Sequence, residues 1–170
     1  NLFGLKEFGN IYSRLGNPTV GALEARLTAL EEGAMCVALS SGTSAVMYSL
    51  INIMSQGDNF VTANQLYGGT YTMFDNILPE YGIDSKKVDI TDLEAVEAAI
   101  DDKTRAIYCE TITNPGLVVA DISALADIAH SKGIPLIVDA TFTTSAILKP
   151  FEYGADIVVY SLTKWMSGHG

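Results

Sequence analysis

Ile157-Val158-Val159-Tyr160-Ser161-Leu162-Thr163-Lys164-Trp165 decides how this chain reads. Its first four residues are apolar and mostly β-branched, the pattern of a short buried strand. A lysine just past such a strand, with two hydroxyls within three residues of it, has the chemistry of an amine kept for covalent work. Taken alone, the same pattern also fits a solvated surface lysine, the commoner fate of that residue. A second apolar run, Pro135-Leu136-Ile137-Val138, ends in Asp139, 25 residues before Lys164. In a parallel sheet both residues emerge at one carboxyl edge, where open α/β sheets bind ligands.

The rest of the chain supplies elements for such a sheet. Asn17-Pro18-Thr19 starts a helix carrying Leu23, Leu27 and Leu30, with Gly33 placed to end it. Met35-Cys36-Val37-Ala38-Leu39 reads as a strand running into Ser40-Ser41-Gly42-Thr43-Ser44, after which Ala45, Met47, Leu50, Ile51 and Met54 predict a buried helix. Asn59 to Thr62 is the next strand, Tyr71 to Leu78 is helical, and Thr91-Asp92-Leu93-Glu94 is a capping box before Leu93, Val96 and Ile100. Ala106 to Cys109 is a strand ending at Glu110-Thr111, with Asn114-Pro115-Gly116 as the loop beyond. Asp121 caps a helix through Leu125, Ile128 and Ala129, closed by Gly133. This alternation, without long linkers or repeats, predicts the α/β class: a mostly parallel sheet with helices on both faces. Residues 1–20 read as an N-terminal arm and residues 21–170 as one domain.

A length of 170 residues suits one core of ordinary size. With 48% hydrophobic and 18% charged residues, disorder is excluded. A net charge of -10 and a pI near 4.4 argue against nucleic acid or an anionic membrane as partner, so an anionic ligand must be caught locally. Cys36 and Cys109 fit neither a disulfide framework nor a metal site and read as reduced thiols of a cytoplasmic protein. His130 and His169 lack the spacing of a metal site or triad and read as structural or surface residues. No apolar run approaches the ~18 residues of a membrane span and no charged-then-apolar pattern stands at the start, so neither a span nor a signal peptide is expected from these residues. The absent initiator methionine suggests residues missing at the front.

Three further features point to a ligand. The turn at Ser40 to Ser44, between a strand and a helix N-terminus, can hold a phosphate on free backbone N–H groups, or can be an ordinary capped helix start. Tyr67, beside Gly68 and Gly69, can lie flat on a planar ring where the backbone approaches closely, or can be a packing tyrosine. Asp139 and Lys164 on one edge suit an aldehyde cofactor whose ring nitrogen needs a counter-anion, pyridoxal 5'-phosphate (PLP).

Tyr12-Ser13-Arg14 with Asn17-Pro18-Thr19, Ser41-Gly42-Thr43, Tyr67-Gly68-Gly69-Thr70, Glu110-Thr111 with Asn114-Pro115, Asp139-Ala140-Thr141-Phe142 and Ser161-Leu162-Thr163-Lys164 together resemble the Cys/Met-metabolism family of PLP enzymes. Within it the chain is most similar to O-acetylhomoserine sulfhydrylases, with cystathionine γ-synthases and methionine γ-lyases as near relatives. The resemblance implies the large domain of PLP fold type I, incomplete here because members continue into a C-terminal domain that binds the substrate carboxylate. It implies that Lys164 carries the cofactor's aldehyde and moves protons, that Asp139 pairs with the ring nitrogen, and that Tyr67 stacks on the ring and assists proton transfer. Gly42, Thr43, Ser161 and Thr163 would bind the phosphate, Asn114 the ring oxygen, and Thr141 would belong to the cofactor site. Tyr12 and Arg14 would reach a neighbouring subunit's phosphate site, so a dimer or tetramer with shared active sites is implied; arginine suits that task as a planar permanent cation.

Two departures stand out. Ala140 replaces the family's common asparagine, leaving the hydrogen bonding around Asp139 open, and Gly69 replaces the cysteine typical of methionine γ-lyases. The expected activity is γ-replacement on an activated homoserine ester by sulfide or a thiol, with an amino acid as the small-molecule substrate. A truncated cofactor-binding module without turnover is the alternative. A dehydrogenase is disfavoured because no G-x-G-x-x-G follows any strand, and a serine hydrolase because Ser41-Gly42-Thr43 is not a nucleophile elbow.

Overall fold

A computed structural model describes residues 1–4, 6–7 and 9–169. The expected arm is therefore seen without Leu5 and Phe8, and the chain end without Gly170. Two compact units are present, Asn1–Ala38 and Leu39–Gly170.

The second unit is built on five strands: β1 (Asn59–Ala63), β2 (Asp84–Val88), β3 (Thr104–Glu110), β4 (Leu136–Asp139) and β5 (Ile157–Val159). Their order is β2-β1-β3-β4-β5 and every neighbouring pair is parallel. All five residues of β1 are buried, so both faces of the sheet are covered. Helix α2 (Gly42–Ile51) packs on β5 and on the short α3 (Gly68–Thr72), whereas α4 (Leu93–Ala99) packs on β2 and α5 (Ile122–Ser131) on β3 and β4. Leu50, Phe60, Phe74, Leu78, Tyr108, Leu125 and Ile137 are fully buried in one core. Phe74 meets Phe60 and Tyr108 edge-on, with centroids 4.8 and 5.1 Å apart, which fixes the Tyr108 ring beneath the carboxyl edge.

In the first unit, α1 (Pro18–Glu31) starts as expected: the Asn17 side chain accepts from the N–H groups of Thr19 and Val20. Glu32, not Gly33, takes the left-handed conformation at its end, with φ 56°. The expected strand Met35–Leu39 does not form. Among the described residues no strand pairs with it; the Ala38 N–H is taken by the Glu24 carboxylate, and Met35 and Val37 are exposed.

Three other expectations shift. The capping residue of α4 is Asp92, which accepts from Ala95 N–H, while Thr91 bonds Asp89 instead. The helix at Tyr71 to Leu78 begins at Gly68 and passes through a π-helical turn, Met73–Ile77, into a 3₁₀ turn, Leu78–Tyr81. Strand β2 went unread because Asp84-Ser85-Lys86-Lys87-Val88 has a single apolar residue; it is the sheet's edge, where charge discourages further pairing.

Candidate functional site

Because β3, β4 and β5 run parallel, their carboxyl ends lie side by side, with Glu110 opposite Asp139 and Asp139 opposite Val159. The loops leaving these ends, with the start of α2 and the residues at Tyr67 and Thr70, line an open cavity of about 480 Å³ within the second unit. Gly42, Thr43, Tyr67, Asn114, Asp139, Thr141, Ser161, Thr163 and Lys164 all line it. Tyr12 and Arg14 lie in the first unit, where the Arg14 guanidinium sits 5.4 Å from the centre of the Tyr12 ring.

Helix α2 opens onto this cavity. Ser41 caps it by accepting from Ser44 N–H at 3.0 Å, which leaves the Gly42 and Thr43 N–H groups at the helix start. Gly42 is required by space. A Cβ there would lie 2.5 Å from the Ser161 Cβ and 2.8 Å from its Cα, so only glycine lets the helix start rest on the loop after β5. That loop is tied to the one after β4, because Ser161 N–H donates to Thr141 Oγ1 at 2.8 Å.

Asp139 is held from two sides. Thr141 N–H donates to Oδ1 at 2.9 Å and the Tyr108 hydroxyl donates to Oδ2 at 3.3 Å. Ala140 is fully buried with its N–H on Val159 O, so the place of the family's asparagine is packed and Asp139 takes its bonds from Thr141 and Tyr108. Burial raises the Asp139 carboxyl above its ordinary range, against the lowering effect of those two donors. The Tyr108 hydroxyl is pushed far up, first by burial and then by the charges of Asp139 and Glu110, so it stays a donor.

Glu110 was not foreseen as a site residue. Its carboxylate is buried and accepts from Tyr67 N–H at 2.7 Å through one oxygen and from Asn114 N–H at 3.0 Å through the other. Burial pushes its pKa up to about 7; the two N–H donors oppose the rise and Asp139 adds to it. The clue that marked Asp139 was equally present here, an apolar strand ending in an acid. Tyr67 itself is half exposed, with its ring folded over Gly69, where a Cβ would meet ring atom Cε1 at 2.7 Å.

These residues fit PLP. A glycine-built helix start beside the Ser161 and Thr163 hydroxyls offers donors for a phosphate, a half-exposed phenol ring stands at the cavity wall, and a buried acid ends the floor. Lys164 lines the same space on an exposed turn.

Comparison with known proteins agrees with this fit. The family model for Cys/Met metabolism PLP-dependent enzymes matches residues 1–170. A sulfhydrylase, FUB7, of Fusarium oxysporum is 52% identical over 170 residues, covering 99% of this chain and 39% of that protein. An O-acetyl-L-homoserine sulfhydrylase of Leptospira meyeri is 48% identical over 169 residues, 99% of this chain and 38% of that one. A crystal structure of a candidate O-acetylhomoserine (thiol)-lyase from Campylobacter jejuni, bearing a pyridoxyl-lysine phosphate, superposes with a TM-score of 0.93 at 44% identity, over 99% of this chain and 41% of that one. The chain thus spans about two fifths of the length of the relatives it matches.

Proposed function

The chain belongs to the Cys/Met metabolism PLP-dependent enzymes, and from that premise we propose that it forms the cofactor-holding part of an enzyme replacing the γ-substituent of O-acetyl-L-homoserine with sulfide or a thiol, to give homocysteine or methionine. The observation that carries this reading is the convergence of nine spaced motif residues on one cavity at the carboxyl edge of the sheet. Names of sulfhydrylases among the relatives support the choice of reaction.

Bound PLP supplies an electron sink that stabilises negative charge on carbons next to the substrate amine. Lys164 is the amine that would hold the cofactor, and its amino group would carry protons at the substrate's Cα and Cβ. Asp139, fixed by Thr141 and Tyr108, keeps a negative charge against the ring nitrogen. Gly42 and Thr43 N–H groups, with the Ser161 and Thr163 hydroxyls, bind the phosphate; Asn114 and Thr141 contact the cofactor, and Tyr67 covers the ring face. Tyr12 and Arg14 of one copy serve the phosphate site of another in a dimer or tetramer.

Cystathionine γ-synthase and methionine γ-lyase activities are the nearest alternatives. Gly69 weighs against the lyase, since it stands where methionine γ-lyases typically carry a cysteine, and a Cβ there would meet the Tyr67 ring at 2.7 Å. The test is turnover by the purified protein supplied with PLP. O-Acetylhomoserine and sulfide should yield homocysteine, whereas release of methanethiol from methionine would establish the lyase. A visible cofactor band with no turnover would establish a binding module. Light scattering checks assembly, because a PLP-bound monomer would contradict shared sites.

A further inference from the structure

Among the described residues, Glu110 is a buried carboxylate that touches two loops of the site at once. It ends β3, and its side-chain oxygens accept from the backbone N–H of Tyr67, which leads into α3, and of Asn114, in the loop after β3. The N-cap residue of α3, Tyr67, makes no side-chain cap bond of its own, and this carboxylate anchors its backbone N–H. The two bonds join residues 43 and 4 positions away from Glu110 in sequence. Resting on the PLP reading above, we propose that Glu110 is a positioning residue that holds the Tyr67 and Asn114 loops in one frame, so that the phenol ring and the asparagine close on the cofactor from a fixed distance.

The strut answers to pH. Burial places the Glu110 titration at about 7, so a proton competes with the N–H donors near neutrality. The groups around it are Asp139 on β4, Tyr108 and Cys109 on its own strand, the Tyr67 loop, and Lys164 across the cavity. An acid whose folded pKa is raised stabilises the fold below its unfolded value of 4.5, and that stability is lost as pH rises through about 7. The fold therefore gains from protonation while the strut weakens. A residue that only supports the fold would move both together.

The test is E110Q in the full protein. Glutamine keeps the shape but offers one acceptor oxygen in place of two. At about pH 8 the variant should bind PLP about tenfold more weakly and show a reduced visible dichroic signal from the bound ring. Its thermal midpoint should be equal to or above the parent's, and that advantage should vanish at about pH 5.5. Unchanged affinity and dichroism overturn the proposal, and so does a fall of affinity and midpoint in step. A parent without the visible cofactor band overturns the PLP reading and this proposal with it; a normal parent with an unaltered variant overturns this proposal alone. Should the variant fail to fold, amide exchange in the parent decides. Protection of Tyr67 and Asn114, corrected for intrinsic rates, should drop between about pH 8 and pH 5.5, and constant protection overturns the strut.

Discussion

The two ends of the sheet treat their acids in opposite ways. At the amino end Asp101 accepts from Lys86 Nζ at 2.6 Å, from the Asn59 amide at 2.9 Å and from Lys103 N–H at 2.9 Å. Lys86, and then these hydrogen bonds, hold its carboxyl well below the usual range. Asp58 pairs with Arg105 at 3.0 Å, and Asp156 accepts from both Leu136 N–H and His130. At the carboxyl end Glu110 and Asp139 stand side by side, receive only neutral donors among the described residues, and are both shifted upward. Compensated acids staple strand starts together. Acids left uncompensated in a cavity wall are a cost to the fold and a resource for a charged ligand.

That contrast can be broken in order of effect. Lys164→Ala should abolish the visible band of the lysine-bound cofactor, with little change in thermal midpoint, because the residue is exposed. A surviving band would mean another amine holds the aldehyde. Asp139→Asn should cut turnover about 10²-fold or more by removing the charge opposed to the ring nitrogen, without lowering the midpoint, since the buried carboxylate is itself unfavourable. Steady-state kinetics beside a melting curve separates the two.

Gly42→Ala should weaken PLP binding on the order of tenfold, as the helix start is pushed off the Ser161 backbone; fluorescence titration of the apoprotein reads it. Asp101→Asn, at the other end, should leave turnover alone and lower the urea midpoint slightly. Its carboxyl is depressed on folding, so the contribution is full above the ordinary value of 3.8 and disappears as pH falls through the folded pKa. A pH series of urea melts should therefore show parent and variant converging in acid.

Much of this was legible because the informative residues break a local pattern. Asp139 and Lys164 each follow an apolar strand, and Gly42 and Gly69 stand where close approach is needed. What escaped was set by partners distant in sequence. Strand β2 is polar because it is an edge, and Met35–Leu39 looks like a strand but has no pairing neighbour among the described residues. Tyr108 reads as one more core aromatic until the register of β3 and β4 puts its hydroxyl on Asp139. Glu110 reads as a strand's end until α3 and the Asn114 loop meet at its carboxylate.

The central claim is that the carboxyl edge holds PLP on one particular amine. Borohydride reduction of the PLP-loaded protein, followed by peptide mass mapping, tests it most directly. The account predicts a pyridoxyl phosphate adduct on the peptide containing Lys164 and on no other lysine. An adduct at the amino-edge Lys86, or equal labelling of several surface lysines, would contradict it.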